Sequence, residues 1–289
     1  LRSNDSRAHV DAILANVRRA ASATGRVYCV MYDLSGLHEG EVAMVGEDWR
    51  RLHRQMKITD DPGYLHHRGR PLVAVWGVGF ADGRDYTLDE CAKLVDRLKA
   101  EGCSVMLGVP TGWRDLHRDA VRDERLHAIL AAADVISPWT VGRYRTPAGA
   151  ERHAQEYWKP DFEWCRERGI DYMPVVFPGF SWHNLNGGEL GAIPRLKGAF
   201  FWTQITQAIK TGHRMLYVAM FDEVDEGTAI FKCTNDPPVG PNSHFVAYEV
   251  PSDYYLRLAG EAGKLLRGER ASWVQPPASE IVASPIVGH

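Results

Sequence analysis

The sequence has few cysteines for its length, and none of the patterns that would give them a structural role. Its 289 residues contain five Cys at widely separated positions, with no Cys-x-x-Cys pair. An odd, dispersed set argues against a disulfide framework and against a structural zinc site. One disulfide is still compatible with the spacing, so the redox compartment stays open.

An excess of charge of one sign and long apolar runs are also lacking. Lys and Arg number 34 and Asp and Glu 37, which gives a formal net charge of −3. This balance provides no electrostatic basis for binding nucleic acid or an anionic membrane surface. No apolar run approaches the roughly 20 residues that a membrane helix needs. We therefore expect neither nucleic acid binding nor membrane insertion.

What the sequence does have is an alternation of short apolar runs with longer amphipathic segments. The apolar runs, rich in β-branched and aromatic residues, predict strands at 26–34, 71–80, 104–110, 134–139, 171–180 and 214–221, with a weaker candidate at 244–250. Helical spacing or capping signals predict helices at 8–24, 87–102, 196–212 and 252–266. Strands that are apolar throughout and separated by helices indicate a parallel sheet covered on both faces.

The number of strands favours an α/β fold of the (β/α)8 TIM-type barrel. Seven strand candidates follow an initial helix, so the first strand of the barrel is not visible in these residues and is expected upstream of Leu1. A doubly wound open sheet is the alternative, but its glycine-rich phosphate loop is missing. We expect one catalytic domain over residues 1–269. Residues 270–289 lose periodicity, which predicts a tail or linker.

Aromatic and polar residues recur where the predicted strands end. In a parallel α/β fold these ends share one edge, where functional groups gather. Aromatic faces beside polar groups suit a sugar, because pyranose rings stack on them while hydroxyls need polar partners. Each aromatic residue taken alone is as readily a packing residue. The strand-end residues that we assign to substrate binding are Tyr32, Asp33, Trp76, Trp113, Trp139, Arg143, Tyr144, Phe180, Trp182, His183 and Asn184.

The most concentrated polar feature is an acidic cluster that directly follows the last strong strand candidate. Within residues 222–226 it holds Asp222, Glu223, Asp225 and Glu226. A turn near Gly227 would bring the two glutamates, three positions apart, to roughly 5–6 Å between Cβ atoms. Close carboxyl groups raise one pKa and can divide acid and base roles, as retaining glycoside hydrolysis requires. A solvated turn and an oxygen-ligand metal site are the other two interpretations.

Three segments resemble glycoside hydrolase family 99, the endo-α-mannosidases, and the broader family 71/99-like group. They are FDEVDEGTAIFK, which contains the Glu-x-x-Glu-Gly-Thr motif, YLHHRGRPLVAVWG and PVVFPGFSWHN. The similarity runs over about residues 8–266. The resemblance implies a (β/α)8 barrel that hydrolyses an α-linked oligo- or polysaccharide with retention. We expect no cofactor, and no metal at the site.

Residue by residue, the resemblance implies that Glu223 is the base acting on the substrate's 2-hydroxyl and that Glu226 is the general acid/base. Tyr32, Trp76, Tyr144, Phe180, Trp182 and His183 would line the sugar subsites. Independently of the resemblance, we assign Asp222 and Asp225, beside the pair, to substrate binding as well. Where the family's mannosidases have Trp-His between the glutamates, this chain has Val224 and Asp225. The difference removes an aromatic ring and an imidazole next to the reacting sugar.

Two other functions remain compatible with the same residues. One is a carbohydrate-binding barrel without turnover, and the other is a metal-dependent hydrolase centred on the acidic cluster. For the hydrolase we favour a secreted or periplasmic location over a cytoplasmic one, although the residues that begin at Leu1 contain no signal segment. The sequence carries no signal of oligomeric state.

Overall fold

The structure, a computed structural model, describes residues 4–238, 240 and 242–269, with side chains from Ser6 onward. The described residues divide into two compact units, one formed by those up to 138 with 165–171 and the other by 139–164 with those from 172 onward. The tail predicted over 270–289 lies outside the described residues.

The first unit is built on a mainly parallel sheet. Its strands are β1 (Val30–Asp33), β2 (His66–His67), β3 (Arg70–Trp76), β4 (Ser104–Val109), β5 (Val135–Pro138) and β6 (Asp171–Tyr172). They lie in the order β1-β3-β4-β5-β6, with β2 antiparallel to β3. The pairs β1–β3, β3–β4 and β4–β5 are parallel, and Val73 at the centre lies opposite Val30 and Val105. The prediction of a parallel sheet is confirmed.

Helices alternate with these strands. They are α1 (Asn4–Thr24), α2 (Ala43–Arg50) with a π-helical continuation (Arg51–Gln55), a 3₁₀ turn (Ile58–Asp60), α3 (Leu88–Ala100) and α4 (Arg125–Ala131). Helix α3 shows why the sequence folds this way. Its buried residues are spaced at i, i+3, i+4 and i+7, so they form one apolar face: Cys91, Leu94, Val95 and Leu98.

The second unit is mostly helical. Its elements are α5 (Pro147–His153) with a π-helical continuation (Ala154–Trp158), α6 (Lys159–Glu167), β7 (Val175–Val176), α7 (His183–Asn186), a 3₁₀ turn (Leu196–Gly198), α8 (Ala199–Lys210), β8 (Tyr217–Val218) and α9 (Tyr254–Leu266). Strands β7 and β8 are parallel. Among the described residues the strands form two separate sheets, so a ring of eight hydrogen-bonded strands is not closed.

Three strand predictions need correction. The run at 171–180 is broken into β6 and β7, because Pro174 between them has no amide hydrogen to donate. The run at 214–221 keeps only β8 as a strand. Residues 244–250 form no strand. There the chain bends at Glu249, whose φ is 58°, and side-chain hydrogen bonds replace a backbone ladder.

No helix in the described part of the chain combines the length and the apolar character needed to cross a membrane.

Candidate active site

The acidic segment folds into a tight turn immediately after β8. The Gly227 amide donates to the Val224 carbonyl at 3.1 Å. The amides of Thr228 and Ala229 both donate to the Glu223 carbonyl, at 3.2 and 3.0 Å. These bonds fold the chain back on itself within seven residues. Positions 223 and 226 therefore come together on one turn, which we call the carboxylate turn (residues 221–229).

Gly227 makes the turn possible. Its φ is +67°, in the left-handed region that residues with a Cβ rarely adopt. A Cβ at this position would also lie 2.9 Å from Cγ2 of Val246, closer than packed atoms come. The turn expected near Gly227 is confirmed, and the glycine is required there on both grounds.

The side chains of Glu223 and Glu226 hydrogen-bond to each other. Burial raises the pKa of Glu226 to about 7, and the negative charges of Glu223 and Asp225 add to the rise. A hydrogen bond between two carboxyl groups requires a proton, and the raised pKa places that proton on Glu226. Near neutral pH the pair is therefore poised between a protonated and an ionised member.

The four acidic residues of the cluster do not share one environment. Glu223 and Glu226 are half-buried, whereas Asp222 and Asp225 are exposed. The recessed glutamates fit a paired acid and base better than a fully solvated turn. Within the described residues, no group of three or more His, Cys, Asp or Glu side chains is arranged to hold a metal ion.

Neighbouring segments hold the carboxylate turn by its backbone. The Ser181 amide donates to the Glu226 carbonyl at 2.8 Å. Nδ2 of Asn184 donates to the carbonyls of Asp225 and His244, each at 2.9 Å. Nη2 of Arg195 donates to the carbonyls of Gly227 and Ala229. Because the carbonyls carry these bonds, the glutamate side chains are left available for chemistry.

Trp182 provides an aromatic surface in the same unit. Its ring is half-buried and packs edge-on against Phe180, with 4.4 Å between ring centroids. The Arg145 guanidinium lies 5.4 Å from the ring centroid of Trp182. Trp182, Trp139 and Met220, which precedes the carboxylate turn, all pack against one buried apolar cluster. Two of the predicted tryptophans and the residue before the carboxylate turn therefore pack against the same buried side chains.

The loop that carries Trp182 continues into α7, where the next two predicted residues lie. The His183 Nδ1–H donates to the Gly188 carbonyl at 3.0 Å, and the His183 ring meets that of His244 at 5.0 Å. Asn184 is exposed, although its amide nitrogen is committed to the two carbonyls described above. Arg143 is half-buried in the loop that follows β5.

Two predicted residues of this unit are core side chains. Phe180 is buried in the apolar cluster. Tyr144 is buried too, and its hydroxyl donates to Oε1 of Gln204 at 2.9 Å. Because neither ring has an open face in this structure, we leave both out of the site proposed below.

The remaining predicted residues belong to the first unit. Tyr32 is buried and donates to Oδ2 of Asp48 at 2.9 Å, and Trp113 is 0% exposed. Both are packing residues, and we omit them from the proposed site for the same reason. Asp33 is exposed and accepts from the Ser35 amide at 2.7 Å. Trp76 is half-buried, with the guanidinium of Arg84 at 5.1 Å from its ring centroid.

Several residues that support the site were not predicted. Arg195 and Ser181, which hold the turn, lie in irregular segments where no periodicity marks them. Gln204 carried a signal, since it is a polar residue on the buried face of α8. Its Oε1 accepts from Tyr144 and from the Phe177 amide, and its Nε2 donates to the carbonyls of Phe177 and Phe200.

A second polar constellation, in the first unit, has a Ser-His-Asp pattern. Nδ1 of His67 lies 2.6 Å from Oγ of Ser104, and Nε2 lies 2.7 Å from Oδ2 of Asp171. Ser104 is fully buried and begins β4, and Asp171 begins β6. The starts of parallel strands are the edge associated with stability, and a buried hydroxyl cannot reach a substrate. These hydrogen bonds therefore have a structural role, joining β2 to the starts of β4 and β6.

Comparison of the sequence with protein-family models finds no match, and no curated protein matches either. Solved structures do match in fold. The structure of the GH99 endo-alpha-mannosidase from Bacteroides thetaiotaomicron is 17% identical, with a TM-score of 0.66 over 88% of this chain and 70% of that one. The same organism's enzyme in complex with bis-tris-propane gives 17% identity and a TM-score of 0.64 over 89% and 74% of the two chains.

A third structure, described as a glycoside hydrolase-like protein, is 12% identical, with a TM-score of 0.51 over 79% of this chain and 63% of that one. Identities this low establish the fold alone. The chain therefore has the α/β fold of the TIM-barrel GH99 endo-α-mannosidase structures, as the resemblance implied for the fold.

Proposed function

We propose that the protein is a retaining glycoside hydrolase that cleaves an α-linked glycan, with Glu223 and Glu226 as its chemical pair. The fold likeness to GH99 endo-α-mannosidase structures supports a glycosidase scaffold. The carboxylate turn supports the chemistry, because it presents two half-buried carboxyl groups in contact. These two lines of support are independent of each other.

The observation that carries the proposal is that one tight turn holds two half-buried glutamates together. Burial and the neighbouring charges raise the pKa of Glu226 to about 7, which agrees with that arrangement. A general acid works best when its pKa lies near the operating pH. Inverting enzymes place their carboxyl groups about 6.5–9.5 Å apart to admit a water, whereas a pair in hydrogen-bond contact leaves no such room. The contact argues against inversion, and retention is the outcome that the motif resemblance implies.

In the proposed reaction Glu223 and Glu226 take the roles that the motif implies. Glu223 accepts the proton of the substrate's 2-hydroxyl as that oxygen attacks the anomeric carbon. The glycosidic bond breaks, and the leaving oxygen takes the proton from Glu226. The product of this step is an anhydro-sugar, in which the 2-oxygen is bonded to the anomeric carbon. Water then attacks the anomeric carbon and gives a proton to Glu226, while Glu223 returns its proton to the 2-oxygen. Two inversions at the anomeric carbon give net retention.

Substrate binding is assigned to the predicted residues of the same unit that keep exposed surface. The half-buried ring of Trp182 can stack on a pyranose face, as aromatic rings in sugar sites do. Trp139 is also half-buried and packs against the same apolar cluster as Trp182. Asp222, Asp225, His183, Asn184 and Arg143 supply polar groups for hydroxyls. Of these, Asp225 has a second effect, because its charge helps keep the proton on Glu226.

The test is the rate of hydrolysis by Glu226→Gln on paired substrates. We expect kcat/KM on an unactivated α-linked glycan to fall by about 10²–10⁴-fold, the size of a lost acid contribution. An aryl glycoside whose leaving group needs no proton should lose much less. Glu156→Gln makes the same chemical change at an exposed glutamate of the same unit and should leave both rates unchanged.

Equal losses on the two substrates would remove Glu226 from the acid role. Chelator treatment of the unmodified enzyme tests the metal-dependent alternative, which requires activity to disappear. If the unmodified protein binds the glycan without hydrolysing it, and Glu226→Gln binds equally well, the protein is a carbohydrate-binding barrel. NMR of the first-formed anomer reports retention directly.

A further inference from the structure

A cavity of about 150 Å³ lies in the second unit, beside the backbone of the carboxylate turn. Val224, Gly227 and Ala229 of the turn contribute to its wall, whereas Glu223 and Glu226 do not. The wall is largely apolar and has one charged member, Arg195, among the residues that line it: Arg195, Val224, Gly227, Ala229, Cys233, Thr234, Asn235, Pro237, Phe245, Val246, Ala247 and Tyr248. The cavity is thus distinct from the proposed catalytic pair.

Arg195 is a buried cation, only 3% exposed. Its guanidinium lies 4.3 and 4.5 Å from the ring centroids of Tyr248 and Tyr255, two rings that meet edge to face. Nη2 is satisfied by the carbonyls of Gly227 and Ala229. Nε and Nη1 are buried and make no well-aligned hydrogen bond among the residues that the structure describes, and the Tyr255 hydroxyl is a polar neighbour of the guanidinium.

No carboxylate compensates this charge within the described chain. Burial lowers the pKa of Arg195, and the groups that oppose this effect are the phenols of Tyr255 and Tyr248 and the thiol of Cys233. A buried cation without an anionic partner is costly. That cost falls if an anion occupies the cavity beside Arg195.

We propose that this cavity binds a small organic carboxylate with an apolar body, and that Arg195 is the cation that recognises it. The carboxylate supplies the counter-charge to the guanidinium, while the apolar body fills the space beside Val224, Phe245 and Val246. An apolar cavity of about this volume can accommodate a benzene ring. Arg195 also donates to the carbonyls of Gly227 and Ala229. A ligand that shifts the guanidinium would therefore also shift the backbone of the carboxylate turn.

The experiment compares benzoate with benzamide, which has nearly the same shape and no charge. Binding to the full chain is measured by calorimetry and by NMR shifts of residues 224–229 and 245–248. We expect benzoate to bind and benzamide to bind at least about tenfold more weakly, since the attraction between buried charges is worth more than that factor. Equal affinity for the two compounds, or no binding of benzoate, overturns the proposal.

A pair of variants at the cavity wall tests the role of charge without disturbing Arg195. Thr234 is exposed, and its hydroxyl accepts from the Asp236 amide at 3.0 Å and donates to the Asp236 carbonyl at 3.2 Å. Asp and Asn can both preserve the accepted bond. Thr234→Asp adds a negative charge and should weaken benzoate binding about tenfold, whereas Thr234→Asn should not. If both variants bind benzoate as the unmodified protein does, Arg195 is not the recognising charge.

Glucuronate serves as a third probe, because a carboxylate could also arrive on a sugar. Its polar ring does not suit the apolar wall, so we expect it to bind more weakly than benzoate. Tighter binding of glucuronate would overturn the apolar-body assignment. These measurements report binding and not hydrolysis, so a failure of benzoate to bind is distinguishable from a failure of the proposed glycosidase activity.

Discussion

At the residue scale, two glutamates of identical chemistry differ because of where their carboxyl groups lie. Glu226 is half-buried and has Glu223 and Asp225 as negative neighbours, so its proton is retained to higher pH. Burial is the largest cause, and the neighbouring charges add to it. This division of roles within one turn separates the proposed acid from the proposed base.

The contribution of Glu223 to this environment is measurable. In Glu223→Gln the pKa of Glu226 should fall from about 7, because a negative charge and its hydrogen bond are removed while burial remains. A ¹³C NMR titration of the Glu226 carboxyl carbon measures the change. Asp225→Asn should lower the same pKa by less, since Asp225 is the weaker of the two charges. An unchanged midpoint in Glu223→Gln would mean that the two carboxyl groups do not interact.

At the scale of single elements, α3 shows how local sequence specifies a helix start. Oγ1 of Thr87 accepts from the Glu90 amide at 3.2 Å, and the Thr87 amide donates to Oε2 of Glu90 at 2.9 Å. The pair forms the capping box predicted from the spacing of the two residues. Because both bonds lie within four residues, no tertiary contact is needed to form them.

Removing the cap should cost a predictable amount. Thr87→Ala should lower the free energy of unfolding by about 1 kcal/mol, the usual loss when a capping hydroxyl is replaced. Thr87→Ser keeps the hydroxyl and should lose much less. Urea unfolding of the three proteins gives the comparison. If alanine and serine are equally destabilising, the effect comes from the methyl group and not from the cap.

The strands behave differently from α3. Of the run predicted at 171–180, only Asp171–Tyr172 and Val175–Val176 are strands. Pro174 lies between them, and its carbonyl accepts from the Tyr217 amide at 3.0 Å. Strand pairing depends on partners distant in sequence. The apolar pattern therefore located this extended segment, but it did not predict that the segment forms two short strands.

At the scale of the whole molecule, a buried histidine links stability to pH. His213 is 3% exposed, and its ring nitrogens have no hydrogen-bond partner among the described residues. Burial lowers the pKa of His213 to about 4. Its surroundings are aromatic, with Phe162 at 4.9 Å and Tyr172 at 5.1 Å between ring centroids. The folded protein therefore keeps this imidazole neutral.

This histidine should destabilise the protein in acid. An unfolded His takes up a proton near pH 6.5, whereas folded His213 does so only near pH 4. The contribution of neutral His213 to the free energy of unfolding is therefore complete above about pH 6.5 and is lost as the pH falls toward 4. The loss from this group is about 2 kcal/mol at pH 5. Thermal unfolding between pH 7.5 and 4.5 measures it.

The matched variant is His213→Phe, which suits the aromatic surroundings and does not titrate. Its melting temperature should fall less between pH 7.5 and 4.5 than that of the unmodified protein. His127→Phe controls for loss of a histidine elsewhere, since the His127 ring is hydrogen-bonded to the carbonyls of Trp113 and Arg114. Identical pH dependence in the unmodified protein and His213→Phe would show that His213 does not cause the acid sensitivity.

Much of the architecture was predictable because it depends on short-range patterns. Alternating apolar runs and amphipathic segments predicted the parallel sheet and the helices α1, α3, α8 and α9. The turn at Gly227 was predictable for the same reason, since a glycine that follows a strand candidate and a polar run is a local turn signal. The candidate strand at 244–250 failed, because its residues are held by side-chain bonds such as Tyr248 to the Ala229 carbonyl at 3.0 Å.

Periodicity does not distinguish a ring that faces a ligand from one that fills a core. Trp113 and Trp182 both follow predicted strands, yet Trp113 is 0% exposed and Trp182 is half-buried. The difference arises from which neighbours cover each ring. The same reason explains why Arg195 was missed, since its importance comes from carbonyls 32 and 34 residues away.

By itself, the sequence determined the class of fold, the start of α3 and the pairing of Glu223 with Glu226, because each depends on residues within a few positions of one another. Only the tertiary structure decided which aromatic rings stay open, how far the pKa of Glu226 rises, and that Arg195 is buried beside a cavity. Those properties depend on burial and on the field of distant groups. Neither exists until segments far apart in the chain have packed together.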